Sequence, residues 1–261
     1  MQRQWLEQQQ VAVWGLGKSG VAAANLLARH GYEVVASDIA DQRSLDGALD
    51  ELDERVNVEL GSNAFGDATW VVTSPGLPPA LQVFEEARQR DIPVVSEVEL
   101  AYAFSDARWL GITGTDGKTT TTTLLGEMVK ASGAEHAVAG NIGTPLCDSV
   151  ESLSPGALLV VELSANQLWT CHGLGMEAAA ITNIAEDHVD YFVDAHQYEE
   201  AKRSLVTMQE GGGTAVLPGG DLSWKQGLVD GRSPGEVIEF SHGPEDVEGA
   251  YRAVYFDQGV G

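Results

Sequence analysis

The sequence predicts an α/β fold built from two consecutive units. Short apolar runs of strand length alternate with helix-permissive stretches along the 261 residues, and the chain contains 30 glycines. Two of the apolar runs lead into glycine-rich turns that are followed by helical sequence, one near residue 15 and one near residue 114. A chain of this length can hold two domains, or one large domain with a sizeable core.

The first unit opens with a strand, a glycine turn and a helix. Residues 11–14 are apolar, residues 15–20 have the pattern GxGxxG, and residues 21–30 are typical of a helix. The strand that follows ends in Asp38. Taken alone, this arrangement indicates dinucleotide binding with Asp38 on a ribose, which makes the unit Rossmann-like. The alternative is that the glycines serve only the packing of helix against strand.

The remainder of the first unit adds two strands and a connection. Residues 70–73 form a strand whose carboxyl end carries the loop 74–79, the position where open α/β sheets bind ligands. Residues 92–96 are the last strand expected here, and residues 97–104 form a helical connection. We therefore place the domain boundary near residues 104–107, which gives a first domain of 1–105 and a second of 106–261.

The second unit begins with a phosphate-binding loop. An apolar strand at residues 109–112 runs into a glycine turn and then into helical sequence up to about Ser132. Backbone N–H groups of such a turn face an anion, Lys118 reaches the outer phosphates and the Thr119 hydroxyl can ligate Mg²⁺. The strict P-loop pattern requires glycine where Ile112 stands, so this is a shorter variant. The predicted nucleotide-binding residues are Gly114, Thr115, Asp116, Gly117, Lys118, Thr119 and Thr120.

The rest of the second unit continues the alternation of strands and helices. A loop at 139–146 contains two glycines and an amide side chain, and a helix at 195–210 is capped by Asp194. The expected strands cover residues 158–164, 178–184 and 214–217, with weaker strand signals at 237–240 and 251–256.

Three side chains of this unit are candidates for metal or phosphate chemistry. Glu162 stands at a strand end, where an acid can hold Mg²⁺ directly or through water. His188 could ligate a second metal or touch a substrate phosphate, although a lone histidine is more often structural. By residue type alone, Lys202 is more often a solvated or salt-bridged lysine.

The composition restricts the partners of the chain. Fifteen Lys+Arg against 39 Asp+Glu give a formal charge of −24. Such a surface repels nucleic acid and anionic membranes, so phosphates must be held by local dipoles and metal. It fits either adaptation to high salt or an ordinary acidic cytosolic protein.

Cysteine use and hydropathy predict a cytoplasmic protein. Cys147 and Cys171 have no metal-binding spacing, which favours reduced thiols. The start of the chain lacks the apolar core of a signal peptide, and there is no apolar run of membrane-spanning length.

Several motifs in order resemble the Mur ligases of peptidoglycan synthesis, most closely their D-glutamate-adding members. The resemblance extends over roughly residues 10–220, and its specificity comes from the combination rather than from any single motif. The motifs are GITGTDGKTT at 111–120, GNIGTPL at 140–146, ELSANQL at 162–168 and EDHVDY at 186–191, with GLGKSG at 15–20 and TSPG at 73–76.

The resemblance implies an ATP-dependent amide ligase with a P-loop ATPase-type central domain and a mainly parallel sheet. ATP would phosphorylate the carboxylate of UDP-N-acetylmuramoyl-L-alanine, and the amine of D-glutamate would attack the acyl phosphate. Two Mg²⁺ ions and the catalytic residues Lys118, His188 and Lys202 are implied. Thr119 and Glu162 would hold the nucleotide's metal, and His188 with a carbamylated Lys202 would hold the second.

The resemblance also implies a substrate pocket and a monomer. Lys18, Ser19, Ser74 and Gly76 match the family's pocket for the UDP group, which Asp38 also borders. Asn141 and Ser164 match positions that contact the substrate.

The sequence departs from the family pattern at one single residue and at two pairs of residues. Asp116 stands where asparagine or histidine is usual, which predicts weaker ATP binding or stronger dependence on metal. Ile39-Ala40 and Ala165-Asn166 replace residues near the uracil and the sugar-peptide.

Family members carry a third domain, which supplies D-glutamate contacts and closes over ATP. The sequence ends inside the expected second domain, so we expect this chain to bind ligands without turnover. Three alternatives stay open: another Mur-type ligase such as the L-alanine-adding enzyme, a non-catalytic UDP-sugar-binding remnant, and an NAD-binding oxidoreductase based on residues 15–20 and Asp38.

Overall fold

A computed structural model describes residues 4–185, 191–209, 212–220, 235–241 and 252–255. The described strands form two sheets, and within each sheet every pair of neighbouring strands is parallel. Helices lie between most of the successive strands that the structure describes, as parallel pairing requires; β3 and β4 are joined without one. The predicted α/β class with mainly parallel sheets is confirmed.

The first sheet has five strands in the order β3-β2-β1-β4-β5. The central strand β1 lies between β2 and β4, and the chain adds strands first on one side of β1 and then on the other. This is the arrangement of a Rossmann-like sheet. The strands are β1 Gln10–Trp14, β2 Glu33–Asp38, β3 Asn57–Leu60, β4 Trp70–Thr73 and β5 Val94–Ser96, and the helices are α1 Lys18–Arg29, α2 Gln42–Asp50 and α3 Gln82–Gln89.

The second sheet has seven strands in the order β12-β11-β10-β9-β6-β8-β7. Helix α4, Glu97–Ala103, connects the two sheets. The strands are β6 Arg108–Thr113, β7 His136–Gly140, β8 Leu158–Glu162, β9 Met176–Ile181, β10 Thr214–Pro218, β11 Glu236–Ser241 and β12 Arg252–Tyr255, and the helices are α5 Lys118–Ala131, α6 Leu146–Ser149, α7 Ala165–Leu168 and α8 Ala195–Thr207.

The structure corrects several expected bounds. Helix α1 begins at Lys18, because Gly17 is extended and acts as its N-cap, so the helix starts inside the glycine turn. The segment 139–146, expected as a loop, includes the end of strand β7 and the start of helix α6. The expected cap on helix α8 is present, since the Asp194 side chain accepts a hydrogen bond from the backbone of Gln197.

Helix α4 is tied to the second sheet by two buried carboxylates. Glu97 is 1% exposed and accepts a hydrogen bond from the backbone N–H of Cys147 at 2.9 Å. Glu99 is 5% exposed and accepts one from the backbone N–H of His172, also at 2.9 Å. One cluster of buried apolar side chains runs from β1 and α1 through α4 to the second sheet, so the two sheets share a core.

Both cysteines, Cys147 and Cys171, are buried and form no disulfide. Among the described residues, no helix combines the length and the apolar character needed to cross a membrane.

Two glycines of the first turn provide a test of its packing. A Cβ atom on Gly20 would overlap the carbonyl oxygen of Gly15, whereas a Cβ on Gly17 would meet open space. We expect Gly20→Ala to lower the free energy of unfolding by about 2 to 3 kcal/mol, because backbone rather than a flexible side chain must move. Gly17→Ala serves as the control and should change it by less than about 0.5 kcal/mol. If urea titration gave Gly20→Ala and Gly17→Ala the same free energy of unfolding, the result would contradict this packing.

The buried Glu97 carboxyl predicts a pH dependence of stability. Burial raises its pKa from 4.5 to about 7. The folded protein therefore binds this proton more tightly than the unfolded chain, and the resulting stabilisation is full below pH 4.5 and is lost as the pH rises through 7. Between pH 5 and 8 we expect the free energy of unfolding of the wild type to fall by about 2.5 kcal/mol relative to that of Glu97→Gln.

Urea unfolding of both proteins across this pH range measures the difference. Glu127→Gln removes the same formal charge from an exposed position on α5 and is the matched control. Stability curves for wild type and Glu97→Gln that run parallel would contradict the raised pKa.

Candidate functional site

The first glycine turn is shaped by backbone contacts to the strands on either side. Gly15 has φ +85° and its N–H donates to the Ser37 carbonyl, while a Cβ on it would crowd Leu77. The Asp38 carboxylate accepts from Leu16 N–H at 2.7 Å and from Ala40 N–H at 2.8 Å. Asp38 therefore holds the turn itself, a role that the sequence pattern did not indicate.

A cavity of about 370 Å³ lies beside this turn, between the two sheets. It brings together five of the seven predicted substrate residues, from the start of α1, the loop after β4 and the loop after β7. Asp38 and Ser164 do not line it. The lining residues are Lys18, Ser19, Ser74, Pro75, Gly76, Gly140, Asn141, Gly143, Pro145 and Gln167.

Ser164 and Gln167 form a capping box at the start of helix α7. Ser164 Oγ accepts from Gln167 N–H at 3.3 Å, and Gln167 Oε1 accepts from Ser164 N–H at 3.0 Å. Gln167, rather than Ser164, reaches the cavity. The Ser-x-x-Gln spacing is a capping-box signature, so the sequence held a signal for this helix start. The substrate contact of Ser164 stays a prediction.

The carboxyl ends of four neighbouring strands lie in one row, with Glu162 among them. In the parallel register Gly140 of β7 lies beside Glu162 of β8, which lies beside Ile112 of β6, which lies beside Ala180 of β9. A Cβ on Gly140 would overlap the Glu162 carbonyl oxygen, so glycine is required there. Glu162 thus stands at the end of the strand next to the one that leads into the phosphate loop.

The Glu162 carboxylate is buried and only half satisfied. It is 1% exposed, and Oε1 accepts from Asn141 Nδ2 at 2.8 Å. Oε2 has no hydrogen-bond partner in the part of the chain that the structure describes. A buried oxygen without a partner is unfavourable, and a hard cation or its water is the ligand that satisfies such an oxygen. The donor set here therefore fits a divalent cation.

The phosphate loop joins β6 to α5 through two glycines with positive φ. Gly114 has φ +148° and Gly117 has φ +78°, and a Cβ on Gly114 would overlap the Thr182 hydroxyl. Helix α5 begins at Lys118, so its first N–H groups have no partner within the helix and point towards the loop. Gly117 and Thr119 are exposed at this helix start.

The segment after β9 holds the loop from one side. Asp116 N–H donates to Asn183 Oδ1 at 2.9 Å, and Asn183 Nδ2 donates to the Asp116 carbonyl at 3.0 Å. Thr182 Oγ1 donates to the same carbonyl at 2.6 Å. The backbone N–H of Asp116 is thus occupied within the protein. Asn183 holds the backbone of the phosphate loop, a contact that the sequence reasoning missed because no motif marks it.

Lys118 and Lys202 both contact loop carbonyls. Lys118 Nζ donates to the Thr115 carbonyl at 2.8 Å. Lys202 is 1% exposed; its Nζ donates to the Gly114 carbonyl at 2.7 Å and lies 4.4 Å from the centroid of the Tyr198 ring. The solvated position that residue type alone suggested for Lys202 is therefore wrong, and helix α8 holds the loop from behind.

The second predicted metal site is only partly described. His188 lies outside the described residues. Among the residues that the structure does describe, no three His, Cys, Asp or Glu side chains come together as a metal-binding group.

Two family models match the chain, one over each sheet. The "Mur ligase MurD-like, N-terminal domain" matches residues 9–96. The "Mur ligase middle domain" matches residues 112–260, which is more than half of the chain.

Three curated relatives carry the name UDP-N-acetylmuramoylalanine–D-glutamate ligase. The protein of Desulfosudis oleivorans is 38% identical over 94% of this chain and 54% of its own length. Those of Frankia casuarinae and Geobacter sp. strain M21 are 40% and 42% identical, over 90% and 81% of this chain. The chain spans about half the length of the curated relatives it matches.

Two solved structures share the fold at low sequence identity. The UDP-N-acetylmuramate:L-alanyl-gamma-D-glutamyl-meso-diaminopimelate ligase from Neisseria meningitides matches with a TM-score of 0.53 and 19% identity, over 89% of this chain and 78% of that one. A murein peptide ligase from Psychrobacter arcticus matches with a TM-score of 0.51 and 18% identity, over 92% and 55%. On the family matches and the identities to its relatives, the chain belongs to the Mur ligase family.

Proposed function

We propose that this chain carries the UDP-sugar and ATP sites of a ligase that adds D-glutamate to UDP-N-acetylmuramoyl-L-alanine in the cytoplasm. Residues 1–105 would bind the UDP-sugar and residues 106–261 would bind ATP. The observation that carries the proposal is Glu162, which lies beside the strand of the phosphate loop and accepts a hydrogen bond from Asn141, a residue of the cavity. Its buried Oε2 has no partner among the described residues.

The reaction we propose has two steps. The carboxylate of the alanyl group takes the γ-phosphoryl group of ATP and becomes an acyl phosphate, with release of ADP. The D-glutamate amine then attacks that carbonyl, the C–N bond forms, and phosphate leaves as the amine loses its proton. Bound Mg²⁺ ions, of which we propose two, supply positive charge that lets two anions approach.

The cavity between the sheets would hold the UDP-sugar. Lys18 and Ser19 stand at the start of α1, where free N–H groups and the helix dipole favour a diphosphate. Ser74 and Gly76 would contact the same group from the loop after β4. Asn141 lines the cavity and donates to Glu162, so it would link the sugar-peptide end to the acid.

The start of helix α5 would hold the ATP phosphates. The N–H groups from Gly117 to Thr120 are not engaged by Asn183, in contrast to that of Asp116. Lys118 would move from the Thr115 carbonyl to the outer phosphates. Thr119 and Glu162 are the oxygen donors proposed for the nucleotide's metal.

His188 and a carbamylated Lys202 are proposed for the second metal. A carbamate converts the amine into an oxygen ligand and keeps one N–H on the nitrogen. That N–H can still donate to the Gly114 carbonyl, which the Lys202 nitrogen contacts at 2.7 Å.

Calorimetric titration of the chain with UDP-N-acetylmuramoyl-L-alanine tests the proposal, because both faces of the proposed cavity lie in the described residues. We expect the alanyl ligand to bind at least about tenfold more tightly than UDP-N-acetylmuramic acid, since a missing recognised group costs about 1 to 3 kcal/mol. Preference for UDP-N-acetylmuramic acid would point to L-alanine addition. Binding of NADH alone, by folded protein, would overturn the proposal in favour of an oxidoreductase.

The exposed Asp116 is expected to weaken nucleotide binding. Its carboxylate belongs to the turn that we propose faces the triphosphate, so Asp116→Asn should lower the Kd for ATP about threefold at low salt. The effect should shrink above 0.5 M salt, because exposed charges are screened.

Asp106→Asn removes the same charge before β6, outside the turn, and is the matched control for titrations with Mg·ATP. An unchanged Kd in Asp116→Asn, or an equal gain in both variants, would show that the carboxylate does not face the nucleotide.

A further inference from the structure

Tyr191 joins the two sheets next to the proposed substrate cavity. Its hydroxyl lies 2.8 Å from the Pro75 carbonyl oxygen and 2.7 Å from the Leu77 carbonyl oxygen, so its single proton is shared between these two acceptors. The same oxygen accepts from Trp169 Nε1 at 3.2 Å. One phenol thus ties the loop after β4, in the first sheet, to two segments of the second.

The Tyr191 hydroxyl remains a donor throughout the physiological pH range. Burial raises the pKa of this phenol to about 12. The Trp169 ring, which donates a hydrogen bond to Tyr191, packs edge-on against Phe84 of helix α3, with centroids 4.8 Å apart. This ring is therefore itself held by a contact to the first sheet's side.

The loop held by Tyr191 is also the loop that borders the cavity. Ser74, Pro75 and Gly76 line the cavity, and Leu77 packs so closely on Gly15 that a Cβ there would crowd its side chain. The loop therefore lies between the first glycine turn on one side and the Tyr191 hydroxyl on the other.

A continuous series of contacts leads from Tyr191 to the phosphate loop. The rings of Tyr191 and Phe192 have centroids 4.9 Å apart, and those of Phe192 and Tyr198 are 5.6 Å apart. The Tyr198 hydroxyl lies 3.1 Å from Thr115 Oγ1, and its ring faces the Lys202 nitrogen that contacts Gly114. Phe192 and Tyr198 are buried, so little free space is left for them to shift independently.

We propose that Tyr191 is a positioning residue that couples the UDP-sugar site to the ATP site, by fixing the loop after β4 against the residues that hold the phosphate loop. This inference rests on the proposed function, because it assumes that each site takes its ligand. It predicts that occupancy of one site tightens binding at the other, and that the Tyr191 hydroxyl transmits the effect. By linkage, the factor by which the nucleotide tightens UDP-sugar binding must equal the factor by which the UDP-sugar tightens nucleotide binding.

The experiment measures the Kd of UDP-N-acetylmuramoyl-L-alanine by calorimetry, with and without saturating Mg²⁺ and a non-hydrolysable ATP analogue. In the wild type we expect the analogue to tighten binding about five- to tenfold. In Tyr191→Phe, which keeps the ring and removes the hydroxyl, the factor should fall to about one, with less than about a twofold change in the affinity for the analogue alone.

Tyr102→Phe is the matched control. The Tyr102 hydroxyl donates to the Gly175 carbonyl at 3.3 Å, so it also joins helix α4 to the second sheet, but outside the cavity. This variant should keep the wild-type coupling. Amide hydrogen exchange without ligand provides a second readout: residues 74–79 should exchange faster in Tyr191→Phe than in wild type or Tyr102→Phe.

The outcomes separate the two proposals. If the wild type binds both ligands and Tyr191→Phe keeps the full coupling, the inference is wrong and the proposed function stands. Equal loss in Tyr102→Phe, or no coupling in the wild type, also overturns the inference. A folded wild type that binds neither ligand overturns the proposed function and this inference with it.

Discussion

The half-satisfied carboxylate of Glu162 is the constraint around which the second sheet is arranged. Parallel pairing sets it between Gly140 and Ile112, so the loop after β7 and the phosphate loop flank the same acid. Asn141 holds one oxygen and orients the group, and the other oxygen is buried without a partner in the part of the chain that the structure describes. A buried carboxylate oxygen in this state is unfavourable, and a bound cation would satisfy it.

Helix α4, which connects the two sheets, determines where Glu162 lies relative to the first glycine turn. Helix α4 carries Glu97 and Glu99 into the core, and each accepts a backbone N–H from the second sheet's side. Because an unpartnered buried carboxylate is strongly unfavourable, these contacts favour one placement of the two sheets. In this placement Lys18, Ser74 and Asn141 line one cavity.

The sequence was most informative where local geometry restricts residue type. Both glycine turns could be predicted, because positive φ at Gly15 and Gly117 and close approach at Gly20 admit little else. Helix α2 and strand β3 were not anticipated, since β3 is an exposed edge strand whose residues show little apolar pattern. The partners of Asp38, Ser164 and Asn183 escaped sequence reasoning because polar side chains that cap or clamp backbone resemble those that bind ligands.

A crystal structure of the chain with UDP-N-acetylmuramoyl-L-alanine and Mg·ADP would test most directly whether the two turns serve one cavity. We expect the diphosphate of the UDP-sugar at Lys18 and Ser19, its alanyl carboxylate towards Asn141, and the ADP phosphates at the start of α5 with the metal on Glu162. A larger groove of about 440 Å³ runs along α1 between Ala48 and Asp148 and shares Lys18 with the cavity. Density for the UDP-sugar in that groove, or for ADP at the first glycine turn, would contradict the assignment.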